Sequence, residues 1–333
     1  MNGTPVRAAV DNVITPLRVD TRNRRVQSTV ELIHERETLE IIRAPRFSGF
    51  CGGVKRAWSI ASRTRAGTEG PVYVSGELIN NDPAMRDLES RGVSVLRVAE
   101  GETPPEGGTL IMRAHGEGPL TFERAQEFGL NVVDATCGIV RVVQQKAKNL
   151  EDQGYQVILY GHRNHPEAKA TVAYTQRGMI IETLAEAEDL PRFGRIAALA
   201  QTTALLSEYE RICKVLETKT NEFVNQGQVC AWTRMAQDEA EELAEQCTVM
   251  VVVGGRKSAN THRLVEVSGL HVPSYLVETV EELDPSWFAA DSVVGVTAGA
   301  STREQDVLDV MARIDEIGRT LGAPPPDPRT VES

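Results

Sequence analysis

Short apolar runs rich in β-branched residues alternate along the chain with stretches whose apolar positions recur at helical spacing. The runs Leu39 to Ile42, Val72 to Val74, Thr109 to Met112, Val157 to Tyr160, Ile196 to Ala200, Val249 to Val253 and Val293 to Val296 predict strands. The stretches between them predict helices. Such alternation implies βα units and mostly parallel sheets, because a parallel connection needs a crossover of helix length. The first forty or so residues are polar and weakly patterned, so they are expected to form an extension whose one element is a helix around Thr29 to Glu40. The end from Gly322, GAPPPDPRTVES, is Pro-rich and is expected to be a mobile tail.

Within this alternation lies an internal repeat. Cys51 opens a helical stretch (CGGVKRAWSIASRTRAG) followed by VYV and Gly76; Cys137 opens another (CGIVRVVQQKAKNLEDQG), followed by VILY and Gly161. Cys230 opens a third (CAWTRMAQDEAEELAEQ), followed by VMVVV and Gly254. The Cys-to-Gly spacings are 25, 24 and 24, and four residues beyond each Gly stands a polar residue: Asn80, His165 and Ser258. A second phase interleaves with the first, in which strands ending in MRAHG (His115), LAQTT (Thr202) and GVTAGAS (Ser301) deliver small or hydrogen-bonding residues into loops. Three such units are most simply arranged about a pseudo-threefold axis, with strand C-termini facing the centre, where ligands of open α/β sheets bind. The expected divisions are an extension over 1–40, a first α/β unit over 41–108 with 290–320 packing back on it, a second over 109–194, a third over 195–289, and a tail over 322–333.

Composition narrows the chemistry. At 333 residues the chain can bury a sizeable core, and no stretch approaches the roughly 18 apolar residues of a membrane span. The N-terminus lacks the charged-then-apolar order of a secretory signal, so a cytoplasmic protein is expected. The net charge of −11 argues against nucleic acid as a partner, which would demand clustered Lys and Arg. Five cysteines with no CxxC pair do not read as a disulfide framework. Cys213 and Cys247 have no repeat-related partners and are expected to be structural.

Cys51, Cys137 and Cys230 remain. Three thiolates arriving from three loops suit a soft metal: zinc, copper(I) or an iron-sulfur cluster. Zinc sites usually add a His at short ligand spacing, and these cysteines stand 86 and 93 residues apart with no local pair. A four-iron cluster held by three cysteines leaves one iron open, which is what substrate chemistry at a metal requires.

The motifs carry a resemblance. GFCGGVKRA at Cys51, RAHG at His115, DATCGIV at Cys137, GHRNHPEAKAT across His165 and Glu167, AQTT at Thr202, GGRKSANTHRL across Ser258 and Asn260, and GVTAGAS at Ser301 resemble, in the same order, the blocks of the LytB family of 4-hydroxy-3-methylbut-2-enyl diphosphate reductases. The resemblance runs from about Ile42 to Ile317. It implies a trefoil of three small α/β domains around a central 4Fe-4S cluster, and a reductive dehydroxylation ending the non-mevalonate isoprenoid route. It further implies that Cys51, Cys137 and Cys230 ligate the cluster, that Glu167 with Thr202 and His165 delivers protons, and that His115, Ser258, Asn260 and Ser301 hold the substrate diphosphate.

Elementary chemistry agrees with an acid at Glu167, since expelling hydroxide from an alcohol is hard until the oxygen is protonated. Two electrons must also arrive, and the chain has no nucleotide-binding glycine fingerprint, so an external ferredoxin or flavodoxin is the expected donor. The chain departs from the family where substrate is gripped. Asn80, within GELINNDPAM, stands where the family has a histidine, and the Ser-Ser-Asn triplet reads Ser258, Ala259, Asn260. After Cys230 the family's Thr-Asn-Arg-Gln run is Arg234, Met235, Ala236 and Gln237. Besides the diphosphate reductase itself, the residues therefore allow a paralogue acting on a different alcohol, an iron-sulfur sensor that has lost catalysis, or a zinc hydrolase. His162 and His262 are expected to be solvated loop residues, and His34 and His271 structural.

Overall fold

The computed structural model describes residues 39–321, apart from Glu106. The expected N-terminal extension with its helix, His34, and the expected tail lie outside the described residues, except for the last two positions of that helix.

Strand β1 (Glu40–Arg43) leads to helix α1 (Gly52–Ala66). Then follow β2 (Val72–Val74), α2 (Asp82–Ser90), β3 (Val93–Val95), β4 (Thr109–Met112), α3 (Pro119–Glu127), β5 (Asn131–Asp134) and α4 (Gly138–Asp152). The next stretch holds β6 (Gln156–Tyr160), α5 (Pro166–Val172), β7 (Met179–Ile181), α6 (Leu184–Asp189), β8 (Phe193–Ala200), α7 (Leu206–Thr218), β9 (Thr220–Asn225) and α8 (Ala231–Ala244). Last come β10 (Val249–Val253), α9 (Ala259–Ser268), β11 (Ser274–Val277), β12 (Val293–Ala298) and α10 (Glu304–Leu321).

The strands form three four-stranded sheets in the orders β3-β2-β4-β5, β7-β6-β8-β9 and β11-β10-β12-β1, every pair parallel. The three orders are the same topology. In the third sheet the fourth place falls to β1 from the start of the chain, so the ring of units closes by bringing the described ends together, with Gly318 of α10 against Leu39. The α/β class and the threefold arrangement therefore agree with the sequence pattern. The sheets do not follow the divisions expected at 108/109 and 194/195. β4 pairs with β2 and β8 with β6, because each crossover returns its strand to the sheet it left. The sheets instead take strands from 72–134, from 156–225, and from 249–298 with 40–43.

Each helix that follows a cysteine leaves one sheet and packs on the next. Val54, Ala57 and Ala61 of α1 lie against Val72, Val74 and Ile111; Val143 and Ala147 of α4 lie against Val157, Leu159 and Leu199; Ala236 and Ala240 of α8 lie against Val252. The central strands are apolar on both faces, as in VMVVV of β10, and every residue of it is buried. Each fully buried Val, Leu or Ile side chain contributes roughly 1.5–3 kcal/mol, so these six strands anchor the loops at their C-terminal ends. No helix among the described residues is long and apolar enough to cross a membrane.

Candidate active site

Each of the three cysteines caps a helix from an extended backbone: Cys51 precedes α1, Cys137 precedes α4 and Cys230 precedes α8. Their backbone N–H groups make the same bond in the three units. Cys51 donates to the Ala300 carbonyl at 3.0 Å, Cys137 to Ala114 at 2.9 Å and Cys230 to Thr202 at 2.8 Å. The three acceptors stand just beyond β12, β4 and β8, so pairing of each cysteine's edge strand with its neighbour carries every thiol to the same point. Gly53 allows the closest approach, since a Cβ there would lie 2.7 Å from the Cys137 sulfur.

The three thiols and all eight other residues singled out from the sequence line one cavity of ≈ 90 Å³. Burial raises the Cys51 thiol above its ordinary range, and the neighbouring Cys137 and Cys230 add repulsion between thiolates. A positively charged metal group relieves both, and three soft donors on three converging loops fit one. Cys213 and Cys247 are buried in separate hydrophobic clusters, where burial pushes the Cys247 thiol to about 11.

Glu167 is positioned by the loop after β6. His165 caps α5, its Nδ1 accepting from the Glu167 N–H at 3.2 Å, and Pro166 fills the first helical position, where no N–H is needed. Glu167 is thereby turned inward and is only 2 % exposed. Thr202 at the end of β8 donates its N–H to Oε1 at 2.6 Å and its hydroxyl to Oε2 at 2.8 Å. These bonds favour the carboxylate, yet loss of solvation outweighs them and raises the Glu167 pKa to about 7.

The two site histidines move the other way. Burial is the main cause for both: His165 is lowered to about 4, with His162 and Arg113 adding repulsion, and His115 falls well below its ordinary value. Both rings are neutral at pH 7, where Glu167 is about half protonated. The rings meet edge to face at 5.2 Å. Since Nδ1 of His165 accepts from Glu167, its proton sits on Nε2, which lies 3.3 Å from the Asn80 amide. That contact is a hydrogen bond only when the amide oxygen faces the ring.

The remaining wall is polar and short of partners. Asn80, Ser258, Asn260 and Ser301 are all buried. Ser301 donates to the Asn80 carbonyl at 3.2 Å, and Ser258 caps α9 by accepting from the Thr261 N–H at 3.3 Å. The loop after β10 reaches Asn80 because Gly255 has no Cβ to strike that carbonyl. Both amide atoms of Asn260 and Nδ1 of His115 are buried without a partner. Each such orphan costs about 1–3 kcal/mol until a ligand satisfies it, and the α9 N-terminus beside them favours an anion.

A wider groove of ≈ 640 Å³ shares Asn80, His165 and Ala259 with this cavity and forms its mouth. His162 and His262 line that mouth, together with Lys257, which bridges Glu77 and Asp82 at 3.1 Å each. His271 lies apart, 3.2 Å from Glu241. Thr233 was not singled out from the sequence, although it is buried on the cavity wall. It is the third residue after Cys230, where the other units have Val54 and Val140, so the polar exception was visible in the repeat.

Three parallel α/β units around one cavity lined by three thiols and a buried carboxyl define a trefoil-type α/β protein. The chain belongs to the LytB protein family, which it matches over residues 41–315. It is similar to the 4-hydroxy-3-methylbut-2-enyl diphosphate reductase of Geobacter sulfurreducens, at 39% identity over 84% of this chain and 98% of that protein. The same-named protein of Geotalea daltonii is 37% identical over 82% of this chain and 96% of its own length. Among solved structures, the E-1-hydroxy-2-methyl-but-2-enyl-4-diphosphate reductase of Plasmodium falciparum superposes with a TM-score of 0.75 at 27% identity, covering 86% of this chain and 89% of that one. A second, the (E)-4-hydroxy-3-methyl-but-2-enyl diphosphate reductase described as the terminal enzyme of the non-mevalonate pathway, gives 0.61 at 35% identity over 84% of this chain and 99% of that one.

Proposed function

We propose that this chain is a cytoplasmic iron-sulfur reductase that removes the hydroxyl group of (E)-4-hydroxy-3-methylbut-2-enyl diphosphate, giving isopentenyl and dimethylallyl diphosphates. The observation that carries the reading is the meeting, on one cavity, of three thiols and a buried carboxyl with a pKa near pH 7. The names and coverage of the relatives support the substrate. The overall change consumes two electrons and two protons, breaks the C–O bond, forms a C–H bond and releases water.

Cys51, Cys137 and Cys230 would hold a 4Fe-4S cluster, which when bound supplies electrons and an open coordination position. Glu167 holds a proton at its carboxyl and gives it to the substrate hydroxyl, so that the oxygen leaves as water and not as hydroxide. Thr202 keeps both carboxyl oxygens in place, and His165, neutral and fixed by the Glu167 N–H, orients the acid's helix. His115, Asn80, Ser258, Asn260 and Ser301 offer the diphosphate uncharged hydrogen-bond donors, and the orphaned Nδ2 of Asn260 gains an acceptor on binding. The electrons come from an external ferredoxin or flavodoxin.

The test is turnover of the diphosphate by anaerobically reconstituted protein. Both isoprenoid diphosphates are expected; no product while the cluster is demonstrably reduced overturns the reading.

A further inference from the structure

Thr233 lies in the first turn of α8, three residues after Cys230, and the equivalent positions of the other two units are Val54 and Val140. All three are buried and line the central cavity. The first turns of α1, α4 and α8 contribute Gly53, Val54, Ile139, Val140 and Thr233 to its wall, so Thr233 is the one polar side chain that they supply. Apart from the thiols, every other polar side chain on the wall comes from a segment that follows β2, β4, β6, β8, β10 or β12. The cavity therefore has a polar side, built by strand ends, and an apolar side behind the cysteines on which one hydroxyl stands alone.

A helical threonine ordinarily turns its hydroxyl to the carbonyl four residues back or to solvent. Thr233 does neither: it is 3 % exposed, and its hydroxyl has no hydrogen-bond partner among the described residues. A buried donor left in that state costs stability until something accepts from it. The sulfurs show the complementary deficit. Cys51 Sγ accepts from the Val54 N–H at 3.5 Å, whereas Cys137 and Cys230 cap their helices with no hydrogen bond to the side chain. A capping side chain and the third residue of its helix are neighbours, so the third unit sets an unused donor beside an unbonded sulfur.

We propose that the Thr233 hydroxyl donates a hydrogen bond to a sulfur at the Cys230 corner of the bound cluster and so makes the cluster easier to reduce, a reading that rests on the reductase function proposed above. Thiolate and sulfide carry negative charge and accept in a charge-assisted bond. One-electron reduction adds a further negative charge, and a donor to sulfur stabilises the more negative form, which raises the potential. Valine at the same position of the other two units supplies no such donor, so the effect falls on one corner of a threefold site.

The test is an electrochemical titration of substrate-free, anaerobically loaded protein, followed by cluster absorbance and electron paramagnetic resonance. Thr233→Val carries the residue of the other two units, so the wall is kept while the donor is lost. At a fixed potential its ratio of reduced to oxidised cluster should fall about three- to tenfold, a midpoint more negative by about 30–60 mV for one electron. Thr233→Ser should restore the wild-type midpoint, and Thr233→Ala, a second variant without the donor, should repeat the shift. Equal midpoints in the wild type and the donor-free variants overturn the proposal. A shift that serine does not reverse overturns it too, by making the filling of space the cause. A raised KM for the diphosphate at an unchanged midpoint assigns the hydroxyl to the substrate instead. Failure of both donor-free variants to load iron, while serine loads, makes the hydroxyl a structural requirement and ends the tuning role. The midpoints decide on Thr233 whether or not the loaded protein turns over the diphosphate, so failure of the reductase reading is told apart; a wild type that takes up no cluster defeats both.

Discussion

Removing the proton from Glu167 should switch off turnover over a pH range set by burial. With a pKa of about 7 the carboxyl is half protonated at pH 7, whereas at its ordinary value of 4.5 only about 0.3 % would be. Burial therefore raises the population of the working acid roughly 150-fold, at a cost of about 3 kcal/mol. Because the folded pKa is raised, the stability this group contributes is complete below pH 4.5 and is lost as pH rises through about 7. Turnover should accordingly level off below about pH 7 and fall about tenfold per unit above it. In Glu167→Gln the amide keeps the shape, and the Thr202 hydroxyl can rotate to accept from the new NH₂. This variant should keep its cluster absorption, lose about 10²–10⁴ in turnover, and resist denaturant better than the wild type at alkaline pH by up to about 3 kcal/mol. The assays are a pH–rate profile under anaerobic conditions and denaturant unfolding at acid and alkaline pH. A wild-type profile flat between about pH 6 and 9, or a glutamine variant with the wild-type rate, would refute the acid.

Three further outcomes follow from single contacts. Thr202→Val removes a bond of 2.8 Å that favours the carboxylate, so the falling limb of the pH–rate profile should move to higher pH. Gly53→Ala places a methyl 2.7 Å from the Cys137 sulfur, and iron content should drop while far-ultraviolet circular dichroism stays unchanged. Asn260→Ala removes two buried atoms that lack partners, so stability of the ligand-free protein should not fall. KM for the diphosphate should rise about ten- to a hundredfold in the same variant, reflecting one lost bond to a charged group.

The central strands were legible because burial on both faces leaves a continuous apolar run, as in VMVVV of β10 and VVGVTA of β12. The strands that the pattern missed, β3, β5, β7, β9 and β11, are short or lie at sheet edges with one side solvated, so NVVD and TNEFVN carry no such signal. β1 was legible for another reason, the run from Leu39 to Ile42. Sheet membership across 108/109 was not legible, because spacing shows where a repeat recurs, whereas strand pairing decides which sheet a strand joins. All eleven residues singled out line one cavity: the repeat marked the three cysteines, Asn80, His165, Ser258, His115, Thr202 and Ser301, and the family resemblance added Glu167 and Asn260. Thr233 escaped because threonine near a helix start is ordinarily a matter of local hydrogen bonding. The raised acidity range of Glu167 could not be read from HPE, for it depends on burial supplied by distant strands.

The most direct test of the account is the count of iron and acid-labile sulfide in anaerobically purified protein, made beside Cys51→Ser, Cys137→Ser, Cys230→Ser, Cys213→Ala and Cys247→Ala. Roughly four iron and four sulfide per chain are expected in the wild type and the last two variants, with loss or strong depletion in the first three. Zinc in place of iron, or full iron content after replacement of any of the three cavity cysteines, would contradict it.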